Sequence, residues 1–345
     1  MIGFRVDANE KIASGHVMRC LAIADALISL QEDVLFFVSD RAAMKMISAR
    51  GHRVECLNSD WQEPESELPI LLRMLRRFRL DMLLIDSYQV TSLYLEAVRA
   101  IVKVAYLDDL NAFDYPVDLV INYSIYADKI GYPAGKVYLL GPAYAPLRKQ
   151  FFSLQNKLSS AIEYRKKEKS ILITTGSSDP YHVAEKTVEE ILEMEDLCEY
   201  KIIVVKGCFC YDLTTVEQKG SRRVKILMNI DNMAELMYKC SFAVSAGGST
   251  LYELCACAVP TVTFSFVDNQ MRNVEEFAKQ RIMEYAGDAR TEEFIGRLIV
   301  QKLLWYHRNP DRTKEMERRM RELGVADGSK RLAEAILAYI RERNS

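Results

Sequence analysis

Phe242-Ala243-Val244-Ser245-Ala246-Gly247-Gly248-Ser249-Thr250-Leu251-Tyr252-Glu253-Leu254 joins an apolar run to a helical pattern through a pair of glycines. That order, buried strand then small-residue turn then helix, is half of a βαβ unit. Gly247 and Gly248 let backbone N–H groups approach an anion, and the Ser249 and Thr250 hydroxyls add donors, so the turn reads as a phosphate cradle. It is not a Walker loop, because no Gly-Lys-Ser/Thr follows, and the dinucleotide Gly-x-Gly-x-x-Gly spacing is also absent. Glu253 lies one turn beyond Ser249 on the same helical face. A carboxylate there would repel phosphate but can accept hydrogen bonds from ribose hydroxyls; the plainer alternative is a first-turn acid stabilised by the helix dipole.

Outward from this stretch the same alternation repeats. After it come a strand over 261–264, the polar Asp268-Asn269-Gln270 at its end, and a helix over 272–279. Before it come strands over 171–174, 201–205 and 224–227, with helices over 183–193 and 232–240. From residue 280 the pattern reads as charged helix through Arg343, with a turn near 324–328. The first half is a second such series, with strands predicted over 2–6, 34–38, 54–57, 82–85, 104–107, 119–121 and 137–140. Several of these are apolar without alternation, as in parallel strands covered on both faces. A charge-rich stretch over 156–170 reads as a linker. The expected fold is α/β: two Rossmann-like domains facing across a cleft, with C-terminal helices packing back toward the first. The expected boundaries are 1–160, 161–310 and 311–345.

Ligands of such sheets bind beyond the carboxyl ends of the strands. In the first half, strand one ends at Asp7 and its loop leads through Ser14-Gly15-His16 into a helix. Gly15 opens the helix N-terminus to an anion, and His16 stands at the same mouth with a side chain suited to proton transfer near neutrality. An isolated helix-entry histidine is as readily structural. Strand four runs into Ile85-Asp86-Ser87-Tyr88 and strand five into Leu107-Asp108-Asp109. Aspartate and serine there can simply cap the next helix; Tyr88 is less easily read as a cap.

The chain has 345 residues, a length that favours two domains, and 49% of them are hydrophobic. With 46 Lys and Arg against 48 Asp and Glu, the formal charge is −2, which lacks the basic excess of a nucleic-acid binder. Arg5 and Asp7 interrupt any signal-peptide run. The apolar stretch 242–267 is broken by Gly247, Gly248, Glu253 and Pro260 and reads as core rather than membrane span. The eight cysteines are scattered, several in apolar runs, and there are four histidines. Reduced thiols, no structural metal and a cytoplasmic location are the expectation.

In this order the pieces resemble the pseudaminic-acid-pathway UDP-sugar hydrolases. The resemblance rests on Arg5-Val6-Asp7, Ile12-Ala13-Ser14-Gly15-His16-Val17-Met18-Arg19-Cys20, Ile85-Asp86-Ser87-Tyr88 and Leu107-Asp108-Asp109. It continues in Gly141-Pro142-Ala143-Tyr144-Ala145-Pro146-Leu147-Arg148, Ser245 to Leu254 and Asp268-Asn269-Gln270. It implies a GT-B fold and removal of UDP from UDP-2,4-diacetamido-2,4,6-trideoxy-β-L-altropyranose by water. By motif, His16 matches the catalytic base, Tyr88 and Asn269 match substrate-cleft residues, and Glu253 matches the nucleotide-site acid. Asp7, Gly15, Gly247, Gly248, Ser249, Thr250 and Gln270 complete the expected substrate and UDP contacts. No cofactor or metal is expected, because the Asp-x-Asp diphosphate clamp is absent. The chain departs from the pattern at Thr175-Gly176-Ser177-Ser178-Asp179, at Pro146, and at Ala258, where glycine is common. A GT-B glycosyltransferase acting on a UDP-sugar donor and a hydroxyl acceptor is the rival reading.

Overall fold

Strands β1 (Ile2–Val6), β2 (Val34–Val38) and β4 (Met82–Asp86) are buried at every position, the mark of a sheet covered on both faces. They belong to a seven-stranded parallel sheet with β3 (Val54–Cys56), β5 (Lys103–Leu107), β6 (Leu119–Asn122) and β7 (Val137–Leu140), in the order β3-β2-β1-β4-β5-β6-β7. The crossovers carry α1 (Gly15–Ser29), α2 (Arg41–Ser48), α3 (Pro64–Phe78) and α4 (Ser92–Arg99). Local chemistry starts these helices where it should: the Asp40 side chain accepts from Ala42 N–H, Thr91 accepts from Tyr94 N–H, and Pro64 opens α3. Because β1 lies between β2 and β4, the winding reverses there, and the crevice of this unit opens at the carboxyl ends of β1 and β4. Their register pairs Val6 with Asp86.

This computed structural model describes residues 1–9, 14–153, 168–207, 210–220, 222–228 and 230–342. The chain forms two units: Met1–Lys149 together with the segment from Asp327, and Gln150–Ala326. Most of the linker expected over 156–170 lies outside the described residues; 168–170 open strand β8 (Glu168–Thr174).

The second unit holds a six-stranded parallel sheet of β8, β9 (Lys201–Val205), β10 (Val224–Leu227), β11 (Cys240–Ala246), β12 (Thr261–Ser265) and β13 (Glu284–Asp288), ordered β10-β9-β8-β11-β12-β13. Its winding reverses between β8 and β11, so the glycine turn after β11 stands at this sheet's own switch point. Helices α5 (Val183–Leu192), α6 (Thr214–Gly220), α7 (Met233–Lys239), α8 (Thr250–Ala256), α9 (Asp268–Lys279), α10 (Ile295–Arg308) and α11 (Pro310–Glu322) complete the unit. Its core gathers Ile171, Ile173, Val188, Ile202, Val244 and Phe264 under Ile299, Leu303 and Tyr306 of α10.

Two elements correct the sequence reading. The charged stretch after 280 is not wholly helical, for Glu284–Asp288 is strand β13, paired with β12. Its residues, Glu-Tyr-Ala-Gly-Asp, are mostly half-buried at a sheet edge, so no apolar run announces them. Helix α6 fills the crossover between β9 and β10, where no helix was expected. Of the C-terminal helices, α10 and α11 stay with the second unit, while α12 (Gly328–Glu342) packs on α1 of the first. Gly328 is required there, since a Cβ would strike the Ala145 backbone, and Ser329 Oγ donates to Leu147 O at 2.6 Å.

Helix α8 ends in a Schellman turn. Ala258 N–H bonds Cys255 O at 2.9 Å and Val259 N–H bonds Leu254 O at 3.1 Å. Ala258 pays for this with φ +47, the left-handed conformation that glycine adopts without strain.

Candidate functional site

In the first unit, His16 is the second residue of α1, and the end of β4 delivers Asp86 to meet it. His16 Nδ1 lies 2.5 Å from Asp86 Oδ1. The Asp86 side chain is fully buried, whereas that of His16 is 15% exposed. A carboxylate only accepts, so Nδ1 carries the hydrogen and the neutral ring keeps Nε2 as its bare nitrogen. That Nε2 has no hydrogen-bond partner among the described residues.

Arg19, one turn further along α1, secures the carboxylate. Its Nε donates to Asp86 Oδ2 at 2.6 Å and its Nη2 to Oδ1 at 2.5 Å. Nη1 reaches Asp109 at 2.8 and 3.0 Å and the Tyr123 hydroxyl at 3.0 Å. The Cys20 thiol completes the set at 3.5 Å from Asp86 Oδ2. Burial alone would raise the Asp86 carboxyl, but Arg19 and then His16 outweigh it and hold the group far below the usual carboxylate range. Tyr88 packs edge-on to the His16 ring, with centroids 4.7 Å apart, and its hydroxyl donates to Asp109 at 2.6 Å. Burial and the Asp109 charge push the Tyr88 hydroxyl well above the ordinary tyrosine range, so it stays protonated.

The sequence reading thus named two members of this cluster, His16 and Tyr88, and left Arg19, Asp86 and Asp109 out of the site. The available signal was positional: Asp86 ends the strand that flanks β1 across the switch point. Asp108, next to Asp109, does act as a turn residue, accepting from Leu110 and Asn111 N–H at 2.8 Å. Asp7 lies in a different, buried network, where it accepts from Arg5 Nη1 at 2.6 Å and Ser39 N–H at 2.7 Å. Arg5 in turn forks onto Glu67, which also receives Tyr94 and Ser59 hydroxyls. Gly15 stands open at the start of α1, with nothing within 4 Å of where a Cβ would lie.

In the second unit, β11 runs into Gly247-Gly248-Ser249 and then α8. The two glycines differ. A Cβ on Gly247 would fall below contact distance of Val274 Cγ1 and at 3.0 Å from Gln270 Cβ, so α9 packs directly on this turn. Gly248 has open space around it. Ser249 is exposed, while Thr250 and Glu253 are half-buried on the first turn of α8. Asn269 is exposed near the start of α9, and Gln270 Oε1 accepts from Phe266 N–H at 3.1 Å. Asn273 braces the turn, its amide 3.4 Å from Gly247 O and its carbonyl receiving the Tyr252 hydroxyl at 2.9 Å. Across the sheet, Asp179 satisfies the first amides of α5, accepting from Val183 and Ala184 N–H at 2.9 Å. Among the described residues no group of three or more His, Cys, Asp or Glu is arranged to hold a metal ion, and no helix is long and apolar enough to cross a membrane.

Comparison with known proteins places these features in a class. Residues 170–332 match the glycosyltransferase family 28 C-terminal domain. An uncharacterized protein of Methanocaldococcus jannaschii is 27% identical over 295 residues, which cover 81% of this chain and 58% of that one. The chain therefore spans little more than half the length of that relative. The spore coat polysaccharide biosynthesis protein SpsG of Bacillus subtilis is 24% identical over 288 residues, 81% of each chain. A Helicobacter pylori protein named as pseudaminic acid cytidylyltransferase and UDP-2,4-diacetamido-2,4,6-trideoxy-β-L-altropyranose hydrolase is 24% identical over 229 residues, covering 64% of this chain and 41% of that one. Among solved structures, Acinetobacter baumannii MurG superposes with a TM-score of 0.68 at 14% identity, covering 98% of this chain and 99% of its own. The fold is GT-B, two parallel-sheet α/β domains. The matched domain, over residues 170–332, is that of a glycosyltransferase family.

Proposed function

We propose that the protein hydrolyses a UDP-linked diacetamido-trideoxy sugar to the free sugar and UDP, as a step toward a nonulosonic acid of the pseudaminic type. The observation that carries this reading is the Asp86–His16 pair, which leaves Nε2 without a hydrogen-bond partner among the described residues, on a side chain that is 15% exposed. A nucleotide sugar already has a good leaving group, so its hydrolysis needs a base for water and stabilisation of the departing diphosphate. His16 Nε2 takes a proton as the water oxygen bonds to the anomeric carbon. The bond from that carbon to the diphosphate oxygen breaks, the electron pair leaves with UDP, and configuration inverts. Tyr88 and Asn269 contact the sugar, with Gly15 at the same mouth as His16. Gly247, Gly248, Ser249 and Thr250 hold the diphosphate, and Glu253 and Gln270 the nucleoside side. Asp7 acts indirectly, by fixing the end of β1. No metal is assigned a part.

Transfer of the sugar to a hydroxyl acceptor is the second reading, favoured by the match to a glycosyltransferase C-terminal domain over 170–332. The same base would then deprotonate the acceptor. Incubation with the UDP-sugar in H₂¹⁸O separates the two. Label in the released sugar supports hydrolysis at the anomeric carbon. Label in UDP indicates attack at phosphorus, and absence of product until an acceptor is added indicates transfer; either overturns the hydrolase reading.

A further inference from the structure

We propose that Arg19 is a positioning residue for the base: a single guanidinium spans Asp86 and Asp109, locking the carboxylate that orients His16 and the carboxylate that holds Tyr88. This rests on the reading of His16 as the base. Three observations carry it. First, all three guanidinium nitrogens are engaged: Nε and Nη2 grip Asp86 as a fork, and Nη1 binds both oxygens of Asp109. A lysine ammonium has no such fork and cannot reproduce both grips. Second, the side chain is 8% exposed and lies against the Tyr123 ring, its Cζ 5.7 Å from the centroid, so its position is dictated by packing as well as by charge. Third, the charges count in a useful way. Asp86 and Asp109 contribute two negative charges and Arg19 one positive, while Tyr88, Tyr123 and Cys20 stay neutral because burial and the neighbouring carboxylates raise them.

The cluster around a neutral imidazole therefore carries one net negative charge, and a proton taken at Nε2 brings it to zero. Among the described residues, Arg5 pairs with Asp7 and Glu67, and the buried Asp108 carboxylate is taken up by the Tyr115 and Tyr132 hydroxyls and the Leu110 and Asn111 N–H groups. Without Arg19, Asp86 against His16 and Asp109 against Tyr88 would have no cation between them, and the negative field at the ring would favour a bound proton. Without the Asp109 charge the opposite holds. Arg19 thus does two jobs at once, fixing the hydrogen bond to Nδ1 and limiting the negative field at the ring.

The test uses Arg19→Gln, Arg19→Lys and Asp109→Asn in the full-length protein. Thermal unfolding selects the variants that fold, and two readouts follow: the pH–rate profile for UDP release, and NMR titration of the ¹³C,¹⁵N-labelled His16 ring without substrate. Arg19→Gln should move the ring's midpoint and the acid limb of the rate profile upward. Asp109→Asn should move both downward; the Arg19→Gln shift should reach roughly one unit, the usual effect of a charge this close, since Arg19 Nη2 lies 3.3 Å from His16 Nδ1. Arg19→Lys should hold the midpoint nearer that of the native protein while kcat falls more than KM rises. Shifts of the same sign in Arg19→Gln and Asp109→Asn, or no shift in either, overturn the proposal, since loss of packing alone cannot generate opposite signs. The ring titration needs no turnover, so opposite shifts in a protein that fails to hydrolyse the UDP-sugar uphold the Arg19 assignment and remove the hydrolase reading.

Discussion

Asp86→Asn removes one charge and almost no volume, which makes it the sharpest perturbation of the base. In the native site Asp86 Oδ1 accepts from both His16 Nδ1 and Arg19 Nη2 at 2.5 Å, and Oδ2 accepts from Arg19 Nε at 2.6 Å. An asparagine must point its NH₂ at one of these donors. Turned toward Arg19 Nε, it loses that bond and leaves a weaker, uncharged acceptor for His16. Turned toward His16, it donates to Nδ1 and flips the tautomer, so the hydrogen moves to Nε2 and the ring can no longer accept a proton there. Either way the imidazolium that forms in the transition state loses a carboxylate in direct contact. General base catalysis contributes typically 10²–10⁴-fold, and a comparable fall in kcat is expected, with KM changed only a few-fold. One charge-assisted hydrogen bond to a buried group is worth about 1.5–3 kcal/mol, which sets the expected loss of stability. Steady-state UDP release and urea unfolding measure the two effects. A folded Asp86→Asn protein with native kcat would refute the argument outright.

Other predictions rest on separate features. Gly247→Ala should cost about 1–3 kcal/mol, because its methyl would press into Val274 and Gln270, whereas Gly248→Ala should leave stability within about 0.5 kcal/mol yet weaken UDP binding; urea unfolding and calorimetric titration with UDP separate these effects. Ala258→Gly should raise stability by up to about 1 kcal/mol by relieving the left-handed strain at the end of α8, read as a shift in the urea midpoint. Glu253→Ala should weaken UDP affinity with little effect on the rate of the bound complex; unchanged affinity would remove Glu253 from the nucleotide site. The depressed Asp86 carboxyl adds stability that is complete above its unfolded value of about 3.9 and is lost as pH falls below it. Native protein should therefore lose stability more steeply than Asp86→Asn on acidification from pH 5 to pH 2, measured by urea unfolding at each pH.

Much of this arrangement is legible in local sequence because strands buried on both faces announce themselves by unbroken or nearly unbroken apolarity, as 34–38 and 82–85 do and 2–6 does but for Arg5. Strand β13 escapes because an edge strand with half-buried Glu284 and Asp288 has no such run. The partners of His16 escape for a different reason. That Asp86 meets His16 depends on β4 lying beside β1, with two other strands between them in sequence, and no local pattern carries that order. The aspartate pair 108–109 shows the same limit. One side chain closes a turn and the other binds Arg19, and only the three-dimensional register decides which does which. Gly247 and Gly248 read alike as a phosphate approach, yet the first is demanded by α9 packing upon it.

The central claim, that His16 moves a proton rather than merely binding or bracing, is tested most directly by His16→Asn, with UDP-sugar turnover and UDP affinity measured on the same preparation. The account predicts a fall in kcat of roughly 10²–10⁴-fold with UDP affinity nearly intact. Parallel loss of both, or turnover that survives the substitution, would contradict it.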